Sequence, residues 1–220
     1  LLLIFSIISL RNYSGVMKKK EKFSKIFSKS NSINILSASR VFLFGARDIW
    51  FVVGVPIFFY DKLSWSFTEV GTFMASWIIF YGIIQSLAPK LLKIFYGNNF
   101  SENEQAFIWA IKLLLIIACL GILSYTYDYN GYLICMGLFL FGFIFAINSS
   151  IHSYLILALA KKNDVTLDVG FYYMANAMGR LLGCIISGFS YQIAGLIGCF
   201  VFAGIFLFFC SVFSFYLKNY

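Results

Sequence analysis

Charged side chains are scarce in this sequence: Asp, Glu, Lys and Arg make up 12% of 220 residues, only nine of them are acids, and there is one histidine. The acids are scattered singly among loops and apolar runs. Missing, therefore, are the paired carboxylates or the His/Asp cluster at one face that a polytopic enzyme requires, and no enzyme is expected. Proline is reduced to two residues, and nothing reads as a strand. The five cysteines, Cys119, Cys135, Cys184, Cys199 and Cys210, show neither CxxC nor Cys/His spacing. That excludes a zinc site and a disulfide framework, assigns the thiols to packing, and leaves no metal or other cofactor to expect. What remains is apolar: 61% of the residues are hydrophobic and 20% aromatic, a balance outside the range of soluble domains.

Apolar segments fall at about 1–10, 33–60, 67–91, 106–126, 131–160, 168–192 and 195–217. All but the first reach the ~20 residues that a hydrocarbon layer about 30 Å thick demands. Residues 1–10 are too short to span and begin at Leu1 rather than at methionine. They are expected to be the end of a truncated transmembrane helix, and the chain a fragment. A cleaved signal peptide would carry its charges before the apolar stretch, whereas here they follow it. Residues 11–32 hold seven Lys and Arg and read as a basic linker, and residues 33–217 read as a six-helix unit.

The connections alternate in charge. Two basic residues fall in "PKLLKIFYGNNFSENEQ", two in "KKNDVTLD", one in "YDKLSW", and none in "TYDYNG" or "QIAG". The positive-inside rule then places residues 11–32, the 89–105 and 161–168 loops and the C-terminus in the cytoplasm of a multi-pass protein of the cell (inner) membrane. Most of the net charge of +8 comes from this bias, so the basic run reads as a solvated, lipid-facing linker rather than as a nucleic-acid site. Ser66 with Glu69 forms a capping-box pattern at the start of the second span, and Pro89 is expected to end it. "SENEQ" and "TLD" place caps and acids where later helices begin. Two sets of three spans with short connections fit the three-plus-three repeats that build each six-helix half of many secondary transporters.

A charge inside such a helix costs about 3 kcal/mol on insertion scales and by default faces a cavity or a partner. Residues 42–59, "FLFGARDIWFVVGVPIFF", carry Arg47 beside Asp48 in an otherwise apolar run. Arg40 lies seven residues before Arg47, which puts the two on one face about 10 Å apart, with Asp48 within about 100° of them. Arg40 is close enough to the cytoplasmic end to snorkel; Arg47 is too deep. The only histidine, His152, has Asn148 one turn before it and Ser149 and Ser153 at its flanks. In "DVGFYYMANAMGRLLG", Tyr173, Asn176 and Arg180 succeed one another by about one turn, after Tyr172. Ala175, Gly179, Gly183 and Ser187 form a ridge of small residues at four-residue spacing, suited to close helix packing. "GRLLG" lacks the strand context of a nucleotide-binding loop.

Two buried guanidiniums, Arg47 and Arg180, fork onto phosphate, carboxylate or arsenate oxygens and keep their charge at every relevant pH. A small anionic substrate follows. A pump for cationic drugs would call for a buried carboxylate instead, and Asp48 is placed to neutralise an arginine when no anion is bound.

The stretches "INILSASRVFLFGARDIWFVVGVPIFF", "LSWSFTEVGTFMASWIIFYGIIQSLAPKL", "HSYLILALA" and "TLDVGFYYMANAMGRLLG" resemble the C-terminal half of organoarsenical efflux permeases of the ArsJ type, in the major facilitator superfamily. The resemblance runs from about residue 23 to 200 and is most specific in "FLFGARD", "QSLAP" and "DVGFYYMAN". It implies an all-α membrane protein, the six-transmembrane-helix half of a major facilitator transporter plus the tail of a preceding helix, with an N-terminal six-helix half upstream. It also implies export of 1-arseno-3-phosphoglycerate and hence arsenate resistance, in functional partnership with glyceraldehyde-3-phosphate dehydrogenase and without contact to it. On that footing the two halves rock about a midplane site. Arg47 and Arg180 clamp the anion, Asn148, Tyr172, Tyr173 and Asn176 add neutral hydrogen bonds, and Asp48 or His152 exchanges a proton or balances charge. The alternatives are a major facilitator transporter of another organic anion or sugar phosphate, and an inactive half-transporter fragment.

Overall fold

The computed structural model describes residues 30–97, 101–126, 130–160 and 165–218. Residues 1–10 and the linker up to residue 29 lie outside the described residues. Among the described residues every regular element is helical: α1 (Asn31–Ile49), a π-helical turn (Trp50–Gly54), α2 (Val55–Asp61), α3 (Phe67–Tyr96), α4 (Glu102–Thr126), α5 (Gly131–Leu159) and α6 (Val165–Lys218).

The first span is a helix with an altered register rather than one uninterrupted α-helix. Pro56 has no N–H to donate and its ring crowds the carbonyl of the preceding turn. The π turn just before it relieves that conflict, with the Val55 N–H reaching back five residues to the Trp50 carbonyl. The Gly54 N–H is taken up by Ser187 Oγ at 3.2 Å, on α6.

The second span begins as expected. Ser66 Oγ accepts from the Glu69 N–H at 3.3 Å, and Glu69 Oε2 accepts from the Ser66 N–H at 2.7 Å. Its end is a correction, because α3 continues through Pro89 to Tyr96. Ala88 and Leu92, on either side of the proline, are buried in one apolar cluster with Ile151 and Trp109. Packing thus holds the helix on both sides of the proline. The "TLD" cap is also corrected: α6 is already helical at Val165, so Asp168 lies in its first turn and Thr166 is not the residue that precedes it.

At about 1.5 Å per residue, α6 would be far too long for one crossing, and it turns back. Ala194 and Gly195 leave helical geometry, Gly195 at φ 59° and ψ −148°, a region open essentially to glycine. The limbs 165–193 and 196–218 run antiparallel, and both pack against α1. Arg40 meets Asn176 while Ser39 meets Ser214, and Gly54 meets Ser187 while a Cβ added to it would run into Cys199 Sγ. Counting both limbs, six helical segments among the described residues are long and apolar enough to cross a bilayer.

The centre of the bundle is aromatic. Trp50 stands edge-on to Trp77 and to Phe141, at 5.7 and 5.2 Å between ring centroids. The Trp77 indole N–H donates to the Leu138 carbonyl at 2.8 Å, tying α3 to α5.

Candidate arginine site

The ridge on the first limb of α6 explains why α1 comes so near. Ala175, Gly179, Gly183 and Ser187 are all buried. A Cβ added to Gly179 would fall on the Val41 backbone, and one added to Gly183 would lie 2.7 Å from the Gly45 carbonyl oxygen. Helices in a bilayer gain little from hydrophobic burial, so this backbone-to-backbone approach supplies dispersion contacts instead. It also brings the charged residues of the two helices together.

Asp48 is fully buried at the centre of that contact. Its Oδ1 lies 2.5 Å from Arg47 Nη2 and its Oδ2 accepts from Arg180 Nε at 3.2 Å. Arg47 is nearly buried, whereas the Arg180 side chain is 58% exposed on the flank of the bundle. Two guanidiniums thus converge on one carboxylate. The Arg47 guanidinium also lies within 6 Å of the rings of Phe44, Phe51 and Phe145, whose negative faces favour a cation.

Arg40 does not snorkel. It is 4% exposed and reaches across the bundle, because it has nearer acceptors than the membrane surface offers. Nε donates to Asn176 Oδ1 at 3.1 Å, and Nη1 donates to the Ser149 carbonyl oxygen and Oγ, each at 3.2 Å. Its guanidinium carbon sits 3.9 Å from the Phe44 centroid and 5.0 Å from that of Tyr172. Ser149 Oγ additionally accepts from the Tyr81 hydroxyl at 3.2 Å, with Gln85 Nε2 at 3.5 Å.

The expected residues therefore divide into two centres. Arg47, Asp48 and Arg180 form one; Asn176 and Tyr172 join Arg40 in the other. Asn148 and His152 are fully buried on α5 with no hydrogen-bond partner among the described residues. Tyr173 is 55% exposed on the same flank as Arg180. Sequence reasoning missed Tyr81 and Gln85, although their one-turn spacing in an apolar span was the available signal. It also missed Lys112 of α4, whose ammonium lies 4.0 Å from the Trp109 ring centre and donates to the Tyr96 hydroxyl at 3.2 Å. Among the described residues no group of His, Cys, Asp and Glu is arranged to hold a metal ion.

A family model described as Major Facilitator Superfamily matches residues 25–220. The chain belongs to the Major Facilitator Superfamily. It is accordingly a multi-pass membrane protein of a transporter family, and its all-helical bundle fits a half-transporter of that superfamily. Searches among curated proteins and among solved structures returned no match.

Proposed function

We propose that this chain moves a small organic anion out of the cell by alternating access, and that the anion is 1-arseno-3-phosphoglycerate, so that its export confers arsenate resistance. The observation that carries the anion is the convergence of Arg47 and Arg180 on the single carboxylate of Asp48 inside membrane-length helices. One acid against two guanidiniums leaves a positive charge for the ligand to balance. An incoming phosphate, carboxylate or arsenate competes with Asp48 for the forked donors, and Arg180, the more exposed arginine, is the first to exchange. The organoarsenical identity rests on the sequence resemblance described above.

The exposed flank of Arg180 and Tyr173 is an expensive surface to leave in lipid. We assign it to the cavity between this six-helix unit and a second, N-terminal one. In this scheme the basic connections and the C-terminus face the cytoplasm of the inner membrane. A glyceraldehyde-3-phosphate dehydrogenase supplies the arsenate ester by diffusion, without contact. Asp48 or His152 carries any coupled proton.

Everted membrane vesicles containing the protein test this directly, given labelled arsenate, glyceraldehyde 3-phosphate, the dehydrogenase and its nicotinamide cofactor. Label is expected to accumulate only when every component is present, and Arg47→Ala and Arg180→Ala should each abolish accumulation while the protein remains in the membrane. Absence of uptake by a folded, inserted protein removes the arsenate ester. Uptake of labelled sugar phosphates by the same vesicles would then assign the arginines to another organic anion.

A further inference from the structure

Arg40 differs from Arg47 and Arg180 in what surrounds it. Arg47 and Arg180 share a carboxylate, whereas the acceptors around Arg40 are neutral: the Ser149 carbonyl and hydroxyl and the Asn176 amide oxygen. The Tyr172 ring faces it at 5.0 Å, and the acid that Arg47 and Arg180 share forms no salt bridge with it. A positive charge therefore stands inside the bundle with no acid paired to it among the described residues. Asn148 adjoins Ser149, the α5 residue to which Arg40 donates, and His152 follows one turn later; both are fully buried, and none of their side-chain nitrogen or oxygen atoms is hydrogen-bonded among the described residues. Buried amides and imidazoles without partners are costly unless a ligand or water completes them.

We propose that Arg40, flanked by Asn148 and His152, is a second anion anchor, and that the site consequently takes an organic anion charged at both ends. This deepens the anion-transport function proposed above and rests on it. Arg40 and Arg47 are two helical turns apart on α1 and lie on either side of Phe44, at 3.9 and 5.4 Å from its centroid. Their guanidinium carbons are thus within about 10 Å of one another. A three-carbon chain with an anionic group at each end sets those groups about 5 Å apart on ordinary bond lengths, and each fork reaches about 4 Å to the centre of its anion. Such a molecule bridges the two arginines; one charged at a single end occupies only one of them. The ligand displaces the neutral acceptors from Arg40 and offers its oxygens to Asn148 and His152. That exchange loosens the ties from α1 to α5 and α6 that Arg40 now makes.

The alternative is that Arg40 is only a structural strut. Asn176→Asp separates the two, because it sets a carboxylate against Arg40 with almost no change in shape. It strengthens a strut and fills an anchor. The protein in lipid nanodiscs is titrated with 3-phosphoglycerate, anionic at both ends, and with glycerol 3-phosphate, anionic at one. The wild type should prefer the former by about tenfold or more. Asn176→Asp should bring the ratio of the two affinities close to one while the melting temperature holds or rises, and folded Arg40→Gln should do the same to the ratio. A ratio that survives in Asn176→Asp overturns the second anchor, even if Arg40→Gln does not fold. Equal binding of both compounds by the wild type overturns it too, and leaves anion transport standing. Binding of neither overturns both.

Discussion

Asp48 carries more than its own pairing, because it is the carboxylate on which two guanidiniums depend. Removing it strands the nearly buried Arg47, and breaking a buried pair by deleting one partner costs about 3–5 kcal/mol. Asp48→Asn should therefore lower the unfolding free energy by about that amount, whereas Arg47→Gln with Asp48→Asn should recover most of the loss. Unfolding of the three variants in the same detergent checks this; a double variant no better than the single one would mean that Asp48 acts through Arg180 or through packing. That Arg47 and Asp48 are unusual could be read directly from two charges in an apolar run. That Arg40 is more enclosed than Arg47 and Arg180 could not, since depth along a helix does not reveal whether the neighbouring helix offers a hydroxyl. Ser149 and Asn176, 109 and 136 residues away in sequence, decide it.

Helices α1 and α6 approach as closely as they do because two glycines occupy the interface. Gly179→Ala should destabilise the protein by about 1–3 kcal/mol, since its Cβ would land on the Val41 backbone and the helices would have to part. Gly170→Ala, on the same limb with nothing within 4 Å of the added carbon, should be neutral or stabilising by up to about 1 kcal/mol. Comparing their melting temperatures separates helix propensity from close approach; equal effects would remove the ridge as the cause. The ridge was legible because four-residue spacing of small side chains has one geometric meaning. The passage of α3 through Pro89 was not, because proline is a local signal and the burial of Ala88 and Leu92 beside it is a tertiary one.

For the molecule as a whole, the flank bearing Tyr173, Ala177 and Arg180 is exposed on the bundle, as is Leu115 on α4 at 59%. If the first surface lines a transport cavity, Ala177→Cys in a protein freed of its native cysteines should react with a membrane-impermeant maleimide, and Leu115→Cys should not. Equal labelling of the two positions would place both flanks in the same surroundings and remove the cavity. The six-segment, all-helical architecture was open to sequence reasoning because a hydrocarbon layer imposes length and polarity on every span. The π turn at Trp50–Gly54 was not, although its consequence is large. It admits one extra residue per turn and so rotates everything beyond it by about 100° relative to an unbroken α-helix. The arginine-bearing part of the first span and the part carrying Phe58 and Phe59 are thereby set out of phase, each facing its own neighbours. Losing a single residue between 50 and 54 would shorten the helix by little, yet it would turn one half of the span to face the wrong partners, much as a slipped tooth mistimes a gear without changing its size.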